Sequence, residues 1–376
     1  MKILFLVFHG FSEYNGISKK IRYQVNGLKE NGHKVMLCSY IIDKNGYRKR
    51  MVDESVLENY GSGFLAKIRK RVCYNAIVNY AIQNNIELVY MRSDHNANPF
   101  TIHFLRKLKI YGIRTVMEIP TYPYDDEYKN LPFSFKINLY IDKFFRNRLA
   151  KQTINIVTFS KYERIFGVPT INISNGIDFK SIKLKDHLNK NCSQINLIGV
   201  AEIHPWHGFD RVIIGLSEYY KTNPKIKVQF NIVGEGDHNE IEKLKRITVQ
   251  KGIDDYVIFH GTKFGKELDE LFNLADMGIA SLARHRSNIT YIKTLKNREY
   301  AARGIPFVYS EIDEDFENMP YIIKAPANEE PLNIQRIIDF YKGNNLTPSQ
   351  IRSSIEKDLS WESQMKKVLN QINYLL

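Results

Sequence analysis

Short apolar runs alternate with helical patterns along the whole chain. Between residues 17 and 28, Ile17, Ile21, Val25 and Leu28 recur at spacings of four, four and three residues, which is typical of an amphipathic helix. The apolar runs between such helices are rich in β-branched and aromatic residues, and this composition predicts strands. The predicted strands are 3–8, 34–40, 87–91, 115–119, 154–159, 170–173, 194–200, 228–233, 257–260, 278–282, 306–309 and 321–324.

The alternation of strands and helices indicates an α/β fold with parallel sheets that helices cover on both faces. The chain contains two successive series of alternating strands and helices, and a polar segment at 183–193 separates them like a linker. We therefore predict two Rossmann-like domains, 1–182 and 194–358, that face each other across a cleft and bind ligands at the carboxyl ends of their strands. A final amphipathic helix at 359–376 is predicted to pack back toward the N-terminal domain.

The composition fits a soluble globular protein. Of the 376 residues, 43% are hydrophobic and 25% are charged, which argues against disorder. Cys38, Cys73 and Cys192 form no CxxC pair, so neither a disulfide framework nor a cysteine zinc site is expected, and a cytoplasmic location is the default. The first apolar run is too short for a signal peptide, and no run approaches the roughly 18 apolar residues of a membrane span.

The positive charge lies in one half of the chain. Residues 1–180 contain 28 Lys and Arg against 15 Asp and Glu, whereas residues 181–376 contain 26 of each kind. This asymmetry predicts an anionic partner for the N-terminal half, with a merely solubilising surface as the alternative. Segments 64–72 and 133–151 combine cations with apolar residues, as interfacial amphipathic helices at an anionic membrane surface do. The alternative is that both are ordinary helices facing the core. Nucleic-acid binding is not expected, because no binding motif accompanies the charge.

Two glycine segments follow strands of the first half. Gly16 opens a predicted helix, whose free N–H groups favour an anion, although Asn15 and Gly16 also form an ordinary turn. Segment 174–178 follows the last strand of the domain, and its Asn-Gly pair predicts a turn. Whether this turn also lines the cleft is left open by the sequence.

The loop 199–211 follows the first strand of the second half. It carries His204, His207 and, just before a helix, Gly208. Imidazole donors beside a helix N-terminus are suited to a diphosphate. Metal binding by the two histidines would need a third ligand that the loop lacks, and a purely structural histidine pair is a further alternative.

Two later segments also sit at strand ends. Residues 233–237 resemble a dinucleotide fingerprint only superficially, because the third glycine is absent at the required spacing. Segment 291–306 predicts a helix with Lys296, Arg298 and Glu299 near its start. These charges either face the cleft or form a solvated surface.

Taken in order, these segments resemble the retaining GT-B glycosyltransferases of family four, the group 1 transferases, in their polysaccharide-assembly branch. The matching motifs are S-N-G-I-D at 174–178, W-H-G-F-D-R at 206–211, I-V-G-E-G at 232–236, F-H-G at 259–261 and E-Y-A-A-R-G-I-P at 299–306. The segment E-I-P-T-Y-P at 118–123 is similar to a loop that such enzymes place beside the acceptor.

The chain departs from the family pattern at three positions. Glu202 stands where the family has an arginine, and His207 stands where it has the lysine that helps to neutralise the diphosphate. Tyr291 replaces the first of two glutamates that lie eight positions apart. The second glutamate is present as Glu299, and the resemblance implies that it binds the ribose hydroxyls. With lysine absent, a protonated His207 is expected to stand in for it.

The resemblance implies a role for each candidate residue. We expect catalytic roles for His207, Lys296 and Glu118. The expected donor-binding residues are Gly16, Glu202, His204, Gly208, Arg211, Gly234, Gly236, His260, Gly261, Tyr291 and Glu299. The expected acceptor-side residues are Arg92, Asp94, His95 and Thr121, although Arg92 and Asp94 fit structural roles equally well.

The implied activity is a retaining, metal-independent sugar transfer without a cofactor, from a nucleotide-sugar to a glycan or lipid-linked glycan in bacterial surface-polysaccharide synthesis. In such enzymes the leaving diphosphate itself helps to remove the acceptor proton, and the protein positions the reactants and stabilises charge. The expected location is cytoplasmic, peripheral at the inner face of the membrane. The alternatives are a sugar-nucleotide epimerase or hydrolase of the same fold, and a non-catalytic partner subunit.

Overall fold

The contacts of the chain divide it into two compact units. Unit 1 comprises Met1–Ser174 together with Trp361–Leu376, and unit 2 comprises Asn175–Ser360. The computed structural model describes residues 1–10, 16–128, 132–186 and 193–373. Asn15, Cys192 and most of the predicted linker lie outside the described residues.

Unit 1 is a mainly parallel sheet flanked by helices. Its strands are β1 (Lys2–Gly10), β2 (Lys34–Ile42), β3 (Arg48–Val52), β4 (Ser55–Gly61), β5 (Leu88–Arg92), β6 (Arg114–Ile119), β7 (Asn155–Thr158), β8 (Arg164–Ile165) and β9 (Val168–Asn172). Its helices include α1 (Gly16–Glu30), α2 (Gly63–Val72), α3 (Asn75–Gln83), α4 (Pro99–Ile110) and α5 (Phe133–Ala150). In the described residues the strand order is β4-β3-β2-β1-β5-β6-β7-β9-β8.

The first strand shows why the sheet has helices on both faces. Residues 3 to 8 of β1 are all buried, because β1 lies between parallel neighbours β2 and β5. Leu4 and Leu6 belong to one hydrophobic cluster, whereas Ile3 and Phe5 belong to a second. Successive side chains of a strand point to opposite faces, so the two clusters are the two helix-covered faces of the sheet.

Unit 2 repeats the parallel arrangement with a smaller sheet. Its strands are β10 (Gln194–Val200), β11 (Lys227–Val233), β12 (Val257–Phe259), β13 (Met277–Ile279), β14 (Phe307–Tyr309) and β15 (Ile322–Lys324). Its helices are α6 (Phe209–Tyr220), α7 (His238–Gln250), α8 (Gly265–Leu274), α9 (Leu295–Ala302), α10 (Ile334–Gly343) and α11 (Pro348–Leu359). Within the described ranges the strand order is β12-β11-β10-β13-β14-β15, with every pair parallel.

The last helix, α12 (Trp361–Asn373), returns to unit 1 and packs on α1. Gly27 allows this close contact, because a Cβ there would lie 2.6 Å from the backbone oxygen of Trp361. The Asn31 side chain donates to the backbone oxygen of Glu362 over 2.9 Å. The predicted docking of the C-terminal helix on the N-terminal domain is therefore confirmed.

Every predicted strand overlaps an observed one, but β3, β4 and β8 were not predicted. β3 pairs antiparallel with β2 and β4 with β3 at one edge, and β8 pairs antiparallel with β9 at the other, so both edges of the sheet depart from the expected parallel pattern. No helix in the described part of the chain combines the length and the apolar content that crossing a bilayer requires.

Candidate functional site

The loop after β10 is fixed against the end of β13. Gly208 adopts φ +65°, and a Cβ there would lie 3.0 Å from the side chains of Leu282 and Ala283. The backbone N–H of Leu282 donates to the oxygen of His207 over 3.0 Å. A larger residue at position 208 would therefore be strained and would push His207 away from β13.

Gly234 and Gly236 are required by packing between two loops. A Cβ on Gly234 would lie 1.8 Å from the oxygen of Ala201, and a Cβ on Gly236 would lie 2.3 Å from the oxygen of Ile203. The N–H of Gly234 donates over 2.8 Å to Gly261, which itself adopts φ +64°. These glycines shape the edge of the sheet, and their predicted donor contacts stay a prediction.

His207 is buried and neutral. Its Nδ1 accepts a hydrogen bond from the backbone N–H of His204 over 3.1 Å, so the proton of the ring lies on Nε2. Burial, followed by the charges of Lys296 and Arg284, lowers the pKa of His207 far below its usual range. The expected protonated imidazole is therefore corrected: His207 can offer an N–H donor but no positive charge.

Lys296 is a buried cation with no partner. It is the second residue of α9, and Thr294 caps that helix by accepting from the N–H of Asn297. The Lys296 Nζ is buried and has no hydrogen-bond partner in the described structure. Burial, together with the charge of Arg284, lowers the pKa of Lys296 to about 7. An amine without a partner in such a place is suited to an anionic ligand.

Arg284 and Glu311 complete this group, and the sequence did not single out either residue. Arg284 follows β13, its Nε donates to the Ser281 hydroxyl over 3.3 Å, and its guanidinium carbon lies 5.7 Å from the centre of the Trp206 ring. Glu311 follows β14 and is 2% exposed, and its Oε2 is buried without a partner in the described chain. Burial raises the pKa of the Glu311 carboxyl to about 7. We call His207, Arg284, Lys296 and Glu311 the charged cluster of unit 2.

The members of the charged cluster lie near one another at the carboxyl ends of β10, β13 and β14. Arg284 and Glu311 both shift the pKa of Lys296, and Lys296 and Arg284 both shift the pKa of His207. In parallel α/β sheets this edge is where ligands bind. The cluster is thus the best candidate site in unit 2.

Arg298 and Tyr300 hold α9 in place. The guanidinium of Arg298 donates to Asp313 over 2.7 Å and to the backbone oxygen of Asn175 over 2.7 Å. The Tyr300 hydroxyl donates to the oxygen of Ile279 over 2.9 Å. Both side chains are fully buried, so they position the helix that carries Lys296.

Arg211 is bound to several protein partners, and its predicted donor role stays a prediction. Its Nε donates to the oxygen of Glu330 over 2.7 Å, and its two terminal nitrogens donate to Pro326 over 3.0 Å and to Asn328 over 3.1 Å. A further bond reaches the oxygen of Leu282. With every nitrogen engaged and the side chain buried, Arg211 pins α6 to the neighbouring loops.

Three further predicted donor residues are engaged with protein partners. His204 stacks on Trp206 at 4.2 Å between ring centres and lies 3.5 Å from the exposed carboxylate of Glu202. The His260 Nε2 lies 2.9 Å from the Asn231 Oδ1. None of these contacts tests a donor role, so those roles stay predictions.

The side chains of Tyr291 and Glu299 bond to different protein residues. The Tyr291 hydroxyl donates to Glu314 over 2.8 Å. One oxygen of Glu299 accepts from Arg303 over 3.0 Å, and the described residues give its other oxygen no hydrogen bond, which leaves that oxygen available to ribose hydroxyls. The expected ribose contact of Glu299 therefore stays a prediction.

Glu118 is a structural carboxylate, which corrects its predicted catalytic role. It is fully buried in β6, and one oxygen accepts from Gln24 over 2.6 Å and from Tyr90 over 2.7 Å. The other oxygen accepts from the guanidinium of Arg92. Burial alone would raise the pKa of Glu118, but the charge of Arg92, followed by that of Lys20 and the hydrogen bonds from Tyr90 and Gln24, outweighs burial and lowers the pKa. The carboxylate is ionised and has no free face for a substrate, and Arg92 is its structural partner.

The other acceptor-side candidates differ in their surroundings. His95 stacks on Tyr124 at 3.8 Å between ring centres, and its Nδ1 lies 2.7 Å from the Tyr128 hydroxyl. Burial lowers the pKa of His95 to about 4, so the ring is neutral. Asp94 and Thr121 are exposed, and Gly16 begins α1 as expected. The described residues include no group of three or more His, Cys, Asp or Glu placed to hold a metal ion.

No sequence-family model matches the chain, and no curated protein matches it in sequence. Solved structures do resemble it. Sucrose-phosphate synthase from Thermosynechococcus elongatus shares 14% identity with a TM-score of 0.65, covering 100% of this chain and 98% of that one. A glycosyltransferase from Rickettsia africae ESF-5 shares 14% identity with a TM-score of 0.62, covering 100% and 98%.

A third similar structure is Anabaena Alr3699/HepE in complex with UDP and glucose. It shares 13% identity with a TM-score of 0.57, and each chain is covered completely. Similarity at this level of identity establishes the fold. The chain has the GT-B fold of two Rossmann-like domains, so the predicted fold class is confirmed.

Proposed function

We propose that the chain is a glycosyltransferase that uses a nucleotide-sugar donor. The charged cluster of unit 2 carries the proposal, because the Lys296 Nζ and the Glu311 Oε2 are buried and find no hydrogen-bond partner among the described residues, at the ligand-binding edge of a Rossmann-like sheet. The similar Anabaena structure contains UDP and glucose, and the fold is shared with a glycosyltransferase. The donor diphosphate would supply the anion that Lys296 and Arg284 lack.

The charged cluster has groups that suit both the diphosphate and the sugar of a nucleotide-sugar donor. Lys296 and Arg284 would carry the positive charge that the family pattern places at positions 202 and 207, where this chain has Glu202 and His207. His207 would add a neutral Nε2–H donor. Burial raises the pKa of Glu311 to about 7. Its carboxyl group would therefore either be ionised and accept a hydrogen bond from a sugar hydroxyl, or remain protonated.

We propose a retaining transfer without a protein nucleophile. The bond between the anomeric carbon and the diphosphate oxygen breaks, a bond from that carbon to the acceptor oxygen forms on the same face, and the acceptor proton passes to the diphosphate. Fixed cations and N–H donors stabilise the charge that develops on the leaving group. The two cations would replace a metal ion in this role, so chelation should leave transfer unchanged.

A panel of nucleotide-sugars tests the proposal. Binding at 100 times the dissociation constant adds about 2.7 kcal/mol to stability, which a thermal-shift measurement detects readily. We expect one nucleotide-sugar to raise the melting temperature, and we expect sugar transfer to an acceptor in the presence of EDTA. Release of an epimerised or free sugar without an acceptor would instead support the epimerase or hydrolase alternative. An absence of binding by every nucleotide-sugar would contradict the proposal.

Unit 1 carries an exposed apolar and basic surface. On α2, Phe64 is 74% exposed and Leu65 is 65% exposed, and on α5 Phe144 is 67% exposed. Arg71 of α2 donates to Asn138 of α5 over 2.7 Å, so the two helices are neighbours. The core-facing alternative does not hold for these three side chains, whereas Leu149 of α5 is buried in the core. We call the exposed apolar and basic residues of α2 and α5 the α2–α5 surface.

We propose that the α2–α5 surface binds an anionic membrane, where a lipid-linked glycan of bacterial surface-polysaccharide synthesis would be the acceptor. Exposed aromatic and aliphatic side chains enter the interface between headgroups and acyl chains, and cations contact anionic headgroups. Each Lys or Arg near such a surface adds about 1 kcal/mol to binding. The excess charge of residues 1–180 supports the same interpretation.

Replacing Phe64 and Leu65 with serine should weaken binding to vesicles that contain anionic lipid. The reason is the loss of two exposed apolar side chains, and co-sedimentation at low salt measures the effect. Serine at Val249 and Leu274 is the matched control, because these unit 2 residues are 69% and 66% exposed. High salt should also reduce binding by the wild-type protein, since exposed charges are screened. Equal recovery of both double variants would contradict the proposed surface.

A further inference from the structure

Arg50 in unit 1 is a fully buried arginine that forms no ion pair with a carboxylate of the described residues. It lies in β3, where its Nη1 donates to the backbone oxygen of Val7 over 3.0 Å and its Nε donates to the Tyr60 hydroxyl over 3.4 Å. Its Nη2 is buried and has no hydrogen-bond partner in the described chain. Arginine is almost never fully buried unless it is paired.

Aromatic rings stabilise this charge only in part. The guanidinium carbon of Arg50 lies 5.6 Å from the centre of the Phe8 ring and 6.0 Å from the centres of the Tyr40 and Tyr60 rings. Ring faces attract a cation, which offsets some of the cost of burial. They do not supply a hydrogen-bond acceptor for Nη2, which stays without one among the described residues.

Lys70 brings a second cation to the same place. Its Nζ lies 4.0 Å from the centre of the Tyr40 ring, the ring that Arg50 also approaches. Burial lowers the pKa of Lys70, and Arg50 and two further arginines act in the same direction, whereas Asp94 acts against them. The nearby carboxylates are Asp94 and Glu58, and Glu58 lies opposite Arg50 in the β3–β4 register and acts on the pKa of Tyr60. Arg50 is buried and Lys70 is partly exposed, so the pair extends from the interior toward the surface.

The two cations lie at the carboxyl edge of the unit 1 sheet. Val7, which accepts from Arg50, is near the end of β1, and Arg92 ends β5 beside it in the sheet. His9, also in β1, lies near Arg92 and Lys70, since the charge of each lowers the pKa of His9. Doubly wound sheets bind their ligands at this edge.

We propose that Arg50 and Lys70 hold a phosphoryl group of the acceptor substrate. The inference rests on the proposed function, because an acceptor presupposes sugar transfer. A phosphoryl group offers up to two negative charges and several acceptor oxygens, which match two cations and the free Nη2. The group belongs either to a lipid phosphate or to a soluble sugar phosphate. Lys70 lies on α2 with the exposed Phe64 and Leu65, and this position favours the lipid source.

Titration calorimetry on the full chain tests the site, in a Lys296→Met background that weakens phosphate binding in unit 2. The probes are geranyl phosphate and glucose 6-phosphate, with geraniol and glucose as uncharged controls. We expect at least one phosphate to bind about tenfold or more tightly than its uncharged counterpart. Preference for geranyl phosphate indicates a lipid source, and preference for glucose 6-phosphate indicates a soluble one.

Variants connect that binding to the two cations. Lys70→Gln should lower the affinity for the preferred phosphate about tenfold and leave nucleotide affinity in the otherwise wild-type chain unchanged. Arg50→Gln should act in the same way, and Lys70→Gln decides the question alone if the Arg50 variant does not fold. Lys109→Gln, a change at an exposed lysine of α4 that lies outside the α2–α5 surface, should have no effect.

Phosphates that bind no better than their uncharged counterparts, or that bind Lys70→Gln as well as the parent, would overturn the inference. Failure of the proposed function gives a different result. In that case no nucleotide-sugar binds the wild-type chain, while phosphate binding still depends on Lys70.

Discussion

Replacing Lys296 with methionine should lower the affinity for a nucleoside diphosphate about 10- to 100-fold, since a charge-assisted hydrogen bond of about 1.5–3 kcal/mol is lost. Turnover should fall further, by about 10²- to 10³-fold, because a fixed donor facing the leaving group acts mainly in the transition state. Lys245→Met is the matched control, since Lys245 is an exposed lysine of α7 paired with Glu242.

The same substitution should stabilise the protein without ligand. The unfolded chain keeps Lys296 protonated up to its ordinary pKa of 10.5, whereas the folded chain loses that proton at about 7. The unfolded state thus binds more protons between these values, and the free energy of unfolding rises with pH across this window. The rise is on the order of 2–4 kcal/mol and should disappear in Lys296→Met.

Glu311 changes the free energy of unfolding in the opposite direction, and over a lower pH range. Its folded pKa of about 7 lies above the ordinary value of 4.5, so the folded state binds more protons between these values and stability falls as pH rises. Together the two groups place a local minimum of stability near pH 7. Chemical denaturation of both proteins between pH 5 and 10 measures these effects. Unchanged diphosphate affinity and an unchanged alkaline rise in Lys296→Met would contradict the charged cluster as the donor site.

Replacing Glu118 with glutamine should destabilise unit 1 by about 3–5 kcal/mol, because the change leaves the buried charge of Arg92 without its partner. Activity per folded molecule should persist, since the carboxylate of Glu118 has no face open to a substrate. The exposed Glu87, which accepts from the backbone of Lys2 over 2.8 Å, provides the control change Glu87→Gln.

Two further measurements separate the structural role of Glu118 from a catalytic one. Adding Arg92→Met to Glu118→Gln should restore much of the stability, because the buried guanidinium that lost its partner is then removed. In the wild type, the lowered pKa of Glu118 stabilises the fold above its unfolded value, and this contribution is lost as pH falls below about 4.5 through the folded value. A Glu118→Gln variant of full stability and greatly reduced turnover would restore the catalytic interpretation.

Strand periodicity was enough to predict most of the fold. β1 and β10 are short apolar runs between parallel neighbours, and such runs are recognisable in the sequence alone. β3 reads R-K-R-M-V and lacks that signal, although Arg50 within it is fully buried. β3 forms because it pairs antiparallel with β2 and so extends the sheet. The periodicity of a single segment does not reveal such pairing.

The candidate site was predicted less completely than the fold. Lys296, His207 and Gly208 lie in motifs, so their positions could be inferred from the order of the strands. Arg284 begins a short 3-10 helix that no sequence pattern indicates, and it joins the cluster only because β13 ends beside β10 and β14.

Burial explains the errors at individual residues. A carboxylate such as Glu118 at a strand end looks the same in sequence whether its partner is a substrate or an arginine from the next strand. The imidazole of His207 likewise carries no sequence sign of the desolvation that keeps it neutral.

The central claim is that the charged cluster of unit 2 binds the diphosphate of a nucleotide-sugar. The most direct measurement is the affinity of a nucleoside diphosphate relative to its parent nucleoside, determined by calorimetry for the wild type and for Arg284→Met with Lys296→Met. UDP and uridine are the first pair, followed by the other bases. We expect the wild type to bind the diphosphate more than about 100-fold more tightly than the nucleoside, and the double variant to lose most of that difference. An equal difference in both proteins, or no diphosphate binding at all, would contradict the account.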